Sequence, residues 1–336
     1  AINQEWLPHT SQAWLSVVLT IILAGTNLFS TRSYGEAEFL LSSIKVAAIL
    51  AFLVIALSFV LGLGNPDGGG FANLTAHGGF MPKGGLSVLA GITTVIFSLV
   101  GAEIATIAAA ESAESNRMLA RMTGTVAARI LILYVVSILL IVAIVPWTDI
   151  APGNSPFAAA LATIGIPGGA LIMNAVVLVA VLSCLNSGIY VTSRVLFSLA
   201  NRGDAPRAMG HLGVRSVPRR AILVSTMCSL VCLGFAILSP DTGFTFLVNA
   251  SGTLILILYA LIALSQIRLR SRLEAGNESP PIRMWLHPWG SILTVVAIAA
   301  ILVAMAIDAT LRSQFIASLI LVASVALGFS IRRRRR

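Results

Sequence analysis

Charged residues are scarce in this chain. Lys, Arg, Asp and Glu make up 10% of its 336 residues, apolar side chains make up 57%, and the mean hydropathy is +0.94. A soluble domain of this length carries far more surface charge, so the composition excludes a soluble globular protein and indicates an all-α polytopic membrane protein. The net charge of +9 does not indicate nucleic-acid binding, because the basic residues lie in short loops between apolar runs.

Cysteine and histidine are also rare. Three cysteines are too few for a disulfide framework, and Cys228 and Cys232 have no histidine or carboxylate near them in the sequence to complete a metal site. The four histidines fall in loops, and neither a Ser-His-Asp arrangement nor a P-loop is present. The sequence therefore predicts no enzyme activity, no metal and no cofactor.

Long apolar segments are the main feature that is present. Nine of them are long enough to cross a bilayer as helices, and Gly, Pro and Asp mark the connections. They lie at 13–31, 38–62, 86–110, 124–146, 169–200, 221–239, 243–266, 288–308 and 314–331. The five tryptophans fall at the ends of these segments, as expected for residues at a membrane interface.

The basic residues predict the orientation. Most of the 22 lysines and arginines, including the Arg332–Arg336 tail, lie on one side of the predicted spans, whereas Lys83 and Arg312 lie on the other. Because cytoplasmic loops are enriched in Lys and Arg, we expect residue 1 outside and the C-terminus in the cytoplasm, beside anionic lipid.

Glu103 is the one acidic residue well inside a predicted span. A carboxylate at that depth costs about 2.5–3.5 kcal/mol on insertion scales, so such residues usually face a cavity and have a function. Lys45 lies at a similar predicted depth in the preceding span. We interpret both as residues that couple protons to solute movement; the alternative for Lys45 is that its flexible stem reaches the interface.

A polar cluster interrupts the fifth predicted span. Ser183, Asn186 and their neighbours place hydroxyl and amide groups beside Gly188, an arrangement that suits the lining of a polar solute site. The alternative is that these groups bond neighbouring helices. Asn249 and Ser251 form a weaker version of the same pattern in the seventh span.

Several motifs together resemble bacterial amino acid permeases of the amino acid–polyamine–organocation superfamily, and their wording is closest to GABA (4-aminobutyrate) permeases. The motifs are GAEIATIAAAES at 101–112, SCLNSGIY at 183–190, SRVLFSL at 193–199, RGDAP at 202–206, and YGEAEF at 34–39 with IKV at 44–46. In order, the chain resembles helices four to twelve of such a permease, so we expect an N-terminally truncated sequence.

The resemblance implies a fold of two inverted five-helix repeats followed by two extra helices. It assigns residues 1–62 to an incomplete first repeat, 86–266 to the second repeat and 288–331 to the extra helices, all within one transporter domain. It also implies a helix break near residues 97–101, whose backbone carbonyls would receive the substrate ammonium.

The resemblance also implies roles for individual residues. Phe97 matches an aromatic position that covers the substrate, and Lys45 matches a lysine that takes the place of a sodium ion in proton-coupled relatives. Glu103 matches an acidic residue linked to coupling at the inner edge of the site. With Ser98, Val100, Gly101, Ser183 and Asn186, Phe97 and Glu103 complete the predicted substrate-binding set.

The function implied is import of a small zwitterionic amino acid, with GABA as the first candidate, by proton symport across a bacterial inner membrane. A permease for another amino acid, aromatic or branched, is the alternative, and a non-transporting fragment or assembly subunit is a further one. A membrane-embedded enzyme should show a nucleophile or metal cluster, and a channel should repeat a polar ring; neither pattern is present in the sequence.

Overall fold

The computed structural model describes residues 11–29, 31–63, 70–101, 125–126, 128–150, 154–213, 217–240, 242–276, 284 and 286–334. Every regular element within these ranges is helical. In chain order the helices are α1 (Gln12–Phe29), α2 (Thr31–Val60), α3 (Asn73–Ala76), α4 (Gly84–Ser98), a π-helix (Leu131–Val136), α5 (Ser137–Ile144), α6 (Pro156–Ile164), α7 (Gly169–Asn201), α8 (Arg219–Leu238), α9 (Gly243–Ala275), α10 (Trp289–Ile307) and α11 (Arg312–Arg334), with short 3₁₀ turns at Trp147–Asp149 and Arg207–Gly210.

These helices form two compact units that alternate along the chain. The first comprises Ala1–Pro82 and Arg129–Ile237, and the second comprises Lys83–Ala128 and Leu238–Arg336. The first unit therefore holds α1 to α3, the π-helix and α5 to α8, whereas the second holds α4 and α9 to α11. Each unit has a core of its own.

The core of the first unit lies where α2, α5, α6 and α7 meet. Phe52 of α2 is 1% exposed, and its ring meets that of Phe157 on α6 edge to face, with centroids 4.9 Å apart. Leu140 of α5 and Met173 of α7 complete this cluster. An edge-to-face aromatic pair adds stability beyond the apolar area that it covers, so it fixes α6 firmly on α2.

The core of the second unit joins α9 to α10 and α4. Leu256, Ile298 and Ile301 are its buried members, and Ile92 and Ile96 of α4 pack against them. Polar contacts reinforce this packing, since Ser318 of α11 donates a hydrogen bond of 3.1 Å to the carbonyl oxygen of Ala250 on α9. Helix α9 is thus the element around which the second unit is built.

The outward faces of the helices are apolar. On α8, Leu223, Met227 and Val231 follow one another at single-turn spacing and are 59%, 68% and 65% exposed. In water, a continuous apolar stripe of this kind would be unfavourable, whereas in a bilayer it contacts hydrocarbon. The fold is that of a multi-pass membrane protein.

Six helices within the described residues are long and apolar enough to cross a membrane. They are Glu38–Val60, Gly169–Asn201, Arg219–Leu238, Gly243–Ala275, Trp289–Ile307 and Arg312–Ile331, with mean hydropathies of 2.1 to 2.6. Each corresponds to one of the segments predicted from hydropathy. The predicted segments 13–31 and 124–146 correspond to shorter apolar helices, Ala13–Phe29 and Ala128–Ile144. The segment 86–110 starts as α4, but residues 102–124 lie outside the described residues. The total of nine membrane spans and the inverted repeats therefore stay predictions.

Two helices differ from the sequence expectation. Helix α2 begins at Thr31, seven residues before the predicted start, because the polar run before residue 38 continues the same helix. Helix α6 lies where a loop was expected. Ser155 caps it by accepting a hydrogen bond of 3.4 Å from the amide of Ala158, and Gly165, at a φ of +84°, ends it in the left-handed conformation.

Candidate functional site

Lys45 and Glu38, both on α2, form a charged pair in the first unit. Lys45 Nζ lies 3.7 Å from Glu38 Oε1 and donates a hydrogen bond of 2.6 Å to Ser183 Oγ on α7. Ser183 Oγ donates its own proton to Glu38 Oε1. One serine hydroxyl therefore connects the ammonium to the carboxylate and joins the two helices.

The pair spans two turns of α2. A separation of seven residues brings Glu38 and Lys45 back to one face, about 10 Å apart along the axis. The long lysine stem and the glutamate side chain close that gap toward each other, and both side chains are only about one-fifth exposed, at 19% and 20%. The ammonium of Lys45 thus has a partner on its own helix instead of simply extending to the interface.

Amide side chains connect α1 to α7 one turn further along α7. Asn27 Nδ2 donates a buried hydrogen bond of 2.6 Å to Asn186 Oδ1, and also bonds the carbonyl oxygen of Leu23 at 2.9 Å. Thr26 Oγ1 lies 3.4 Å from the same Asn186 oxygen. Because Ser183 and Asn186 are three residues apart, they share one face of α7, and the charged pair and the amide cluster form one polar band.

The other predicted site residues belong to the second unit, at the end of α4. The helix stops at Ser98: Leu99 N–H donates to the carbonyl of Ile96 at 3.1 Å, and Val100 N–H donates to that of Phe97 at 3.3 Å. Gly101 follows with a φ of +131°, a conformation that other residues rarely adopt. The turn lies in the segment where a break in the helix was predicted.

The helix end exposes both apolar and polar groups. Phe97 is 41% exposed and Val100 is 43% exposed, while Ser98 Oγ donates to the carbonyl oxygen of Val95 at 2.6 Å. One turn before the break, Thr94 Oγ1 donates a hydrogen bond of 2.8 Å to Asn249 Oδ1 on α9. This bond anchors the last turn of α4, so the carbonyls at its negative dipole end have a fixed position.

The predicted residues therefore fall into two groups. Lys45, Ser183 and Asn186 share the polar band of the first unit, and Phe97, Ser98, Val100 and Gly101 lie together at the end of α4 in the second. Glu103 lies outside the described residues. Within the described ranges, no group of three His, Cys, Asp or Glu side chains could hold a metal ion.

Residues 2–334 of this chain match the amino acid permease family. The chain belongs to the amino acid permease family. The gamma-aminobutyric acid permease of Bacillus subtilis is 44% identical over 338 residues, which covers 100% of this chain and 72% of that protein. A probable GABA permease of Pseudomonas aeruginosa is 41% identical, covering 100% of this chain and 71% of that relative.

A third relative is named for a different class of amino acid. The aromatic amino acid transport protein AroP of Corynebacterium glutamicum is 39% identical to this permease, covering 93% of this chain and 67% of that protein. The relatives are transporters, which confirms the prediction that the chain is a transporter of the superfamily and not an enzyme.

Two partners within this permease were missed by sequence reasoning. Glu38 was noticed only as part of a motif, although its seven-residue spacing from Lys45 already places both on one face of a helix. Asn27 follows Thr26 near the end of the first predicted span. Two adjacent polar residues among apolar ones indicate a hydrogen bond to a neighbouring helix. The contacts of Glu38 and Asn27 with α7 were not visible in the sequence, because the bonded residues are 145 and 159 positions apart.

Proposed function

We propose that this permease imports a small zwitterionic amino acid, with GABA as the first candidate, by proton symport across a bacterial cell membrane. The observation that carries the substrate assignment is the 44% and 41% identity to two GABA permeases along the whole chain. GABA has an ammonium and a carboxylate, so a matching site needs groups of both signs or the equivalent dipoles.

The proposed coupling residues are Lys45 and Glu103. Support for Lys45 comes from its surroundings: its ammonium is largely removed from solvent, donates a hydrogen bond to Ser183 and forms an ion pair with Glu38 inside an apolar span. A fixed ammonium there supplies the positive charge that a sodium ion would supply in a sodium-coupled transporter. Glu103 is proposed on the basis of its motif, as the acidic residue at the inner edge of the substrate site.

The proposed substrate groups follow from local chemistry. At the end of α4, the carbonyls around Phe97 to Gly101 carry the partial negative charge of a helix C-terminus, which attracts an ammonium group. Phe97 and Val100 present apolar surface beside them, suited to a methylene chain. In the first unit, Ser183 gives its proton to Glu38 and Asn186 accepts from Asn27, and the side-chain amide of Asn186 is the group of that unit that we propose for contact with a polar solute.

The proposed orientation has residue 1 outside and the C-terminus in the cytoplasm. The charge pattern of the described residues supports this orientation. Four arginines lie at or after the C-terminal ends of α7 and α9, namely Arg202, Arg207, Arg268 and Arg272. By contrast, one arginine, Arg312, lies where α10 has ended and α11 begins. Basic residues accumulate on the cytoplasmic side of membrane proteins.

Transport of an aromatic amino acid is the second candidate. The 39% identity to an aromatic amino acid transporter favours it. Substrates of the two classes differ in the distance between ammonium and carboxylate and in the size of the side chain, so direct competition separates them.

The test is uptake of labelled GABA into proteoliposomes that contain the protein expressed from its complete reading frame. We expect accumulation under an inward proton gradient in sodium-free buffer, and loss of accumulation when a protonophore collapses the gradient. Uptake that persists without the gradient but requires sodium would contradict proton symport. Uptake of labelled phenylalanine or tryptophan in place of GABA would assign the second candidate.

A further inference from the structure

We propose that the Ser183 hydroxyl relays a proton between Lys45 and Glu38, and that Glu38 is the carboxylate through which the transported proton leaves the span. This inference rests on the proton symport proposed above and names the groups that carry the proton. It gives a role to Glu38 that neither its motif nor its position in the sequence indicates.

The hydrogen bonds already have the order that a relay needs. Lys45 Nζ donates to Ser183 Oγ at 2.6 Å, and Ser183 Oγ donates to Glu38 Oε1. The direct distance from Lys45 Nζ to Glu38 Oε1 is 3.7 Å, which is too long for a hydrogen bond. The serine hydroxyl is therefore the bonded path between the two charges.

The two oxygens of Glu38 have different surroundings. Oε1 accepts from Ser183 and lies 3.5 Å from Ser42 Oγ, whereas Oε2 is buried and has no hydrogen-bond partner among the described residues. A buried carboxylate oxygen without a donor is unfavourable in the ionised form. Oε2 is therefore the acceptor of Glu38 that stays open among the described residues, while Oε1 is held by Ser183.

Few other titratable groups compete for this role. The helices α1, α5 and α6, which pack in the same unit, carry no titratable residue. The π-helix carries Tyr134, and α7 carries Cys184, Tyr190 and Arg194. Arg194 lies eleven residues, about 16 Å, beyond Ser183 along α7, with its guanidinium 5.0 Å from the Tyr190 ring centroid. Lys45 is the charged side chain found in contact with Glu38 in the described part of the chain.

The relay step conserves charge and atoms. The Lys45 Nζ–H bond breaks as a new bond forms between that hydrogen and Ser183 Oγ, and the original Ser183 Oγ–H bond breaks as hydrogen binds Glu38 Oε1. Lys45 becomes a neutral amine and Glu38 a neutral carboxylic acid, while Ser183 is restored. Release of the Glu38 proton to water and uptake of another proton by Lys45 return the pair to its charged state.

The direction of release follows from the position of Glu38. The Cα atom of Glu38 lies nearer the start of α2 than that of Lys45 by about 10 Å, on the side that the proposed orientation places toward the cytoplasm. The neutral state also weakens the attachment of α2 to α7, because a hydrogen bond from Ser183 to a charged partner is stronger than one to a neutral partner. Proton transfer and helix movement are thereby linked.

The experiment compares two transport modes of the full-length protein in proteoliposomes. One is accumulation of labelled GABA under an inward proton gradient, and the other is exchange of labelled for unlabelled GABA without a gradient. In Glu38→Gln and in Ser183→Ala we expect the ratio of accumulation to exchange to fall by at least about tenfold. Ser183→Thr retains a hydroxyl and should keep most of the ratio.

Glu36→Gln is the matched control, because Glu36 is an exposed glutamate on the same helix two residues before Glu38. It should leave the ratio within about twofold of the wild type. A pH-sensitive dye inside the vesicles supplies the second readout: wild-type uptake should acidify the lumen, and Glu38→Gln should abolish that signal per GABA transported.

The possible outcomes separate the two proposals. The relay is overturned if proton-driven accumulation persists in Glu38→Gln. It is also overturned if Ser183→Ala accumulates GABA as well as Ser183→Thr does. In both cases the symport proposal stands. Wild-type protein that transports GABA without moving protons overturns both. If Glu38→Gln fails to insert or fold, the comparison of Ser183→Ala with Ser183→Thr decides the matter, since both keep the two charged residues.

Discussion

Removing either charge of the Lys45–Glu38 pair should destabilise the protein more than removing both. At 3.7 Å two unit charges attract each other by about 4.5 kcal/mol with an effective dielectric constant of about 20. Because both side chains are about one-fifth exposed, screening reduces this value, and we expect a coupling free energy of about 1.5–3 kcal/mol. Glu38→Gln and Lys45→Met each leave the remaining charge uncompensated inside a span, whereas the double variant leaves none.

The chain offers a matched control in Arg270 and Glu274 on α9. Their side chains are closer together, with Arg270 Nε 2.8 Å from Glu274 Oε1, but Glu274 is 54% exposed. Distance alone therefore predicts that this pair couples more strongly, while burial predicts that it couples more weakly. We expect the coupling free energy of Arg270–Glu274 to be the smaller of the two, because exposed i,i+4 pairs contribute about 0.3–0.5 kcal/mol.

The assay is unfolding in mixed micelles with increasing SDS, followed by tryptophan fluorescence, for the wild type, the single variants and the double variant of each pair. A double-mutant cycle then isolates each pairwise term. A coupling for Lys45–Glu38 no larger than that for Arg270–Glu274 would refute the reasoning, because it would mean that water screens the site on α2 as well as it screens the surface.

Two further predictions concern polar contacts and backbone conformation. Asn27→Ala removes the 2.6 Å bond to Asn186 and should lower the free energy of unfolding by about 1–2 kcal/mol, whereas Thr26→Val, which removes only the 3.4 Å contact, should cost less; SDS unfolding of both variants checks the order. In Gly101→Ala the added methyl group has no atom within 4 Å, but the alanine must adopt a φ of +131°. We therefore expect the free energy of unfolding to fall by about 1–3 kcal/mol from the backbone alone. Uptake of labelled GABA should fall more than in the control Gly91→Ala, which lies within α4.

Hydropathy predicted the long helices closely. Helix α7 was expected at 169–200 and runs from Gly169 to Asn201, and α10 was expected at 288–308 and runs from Trp289 to Ile307. A membrane helix satisfies all its backbone hydrogen bonds within one segment, so its limits follow from local composition. The prediction was wrong at the start of α2 and missed α6, since polar residues can continue a helix and a short helix carries a weak hydropathy signal.

The site was predictable only in part. Charge in an apolar run pointed to Lys45, and a polar cluster pointed to Ser183 and Asn186. The roles of these residues remained open in the sequence, because a buried ammonium can be paired, snorkel or face a cavity, and each choice depends on the neighbouring helix. The helix end at Ser98 was expected from the family motif and from Gly101, which favours a turn.

The sequence by itself determined the family, the membrane character and most helix limits of this permease, since all three depend on residues that are near one another along the chain. Only the tertiary structure decided that Lys45 pairs with Glu38 through Ser183, and that Asn27 binds Asn186. Those bonds join residues 138 and 159 positions apart, and such a meeting depends on how whole helices pack. Packing brings Ser183 between the two charges, and a hydroxyl in that position can accept from one and donate to the other.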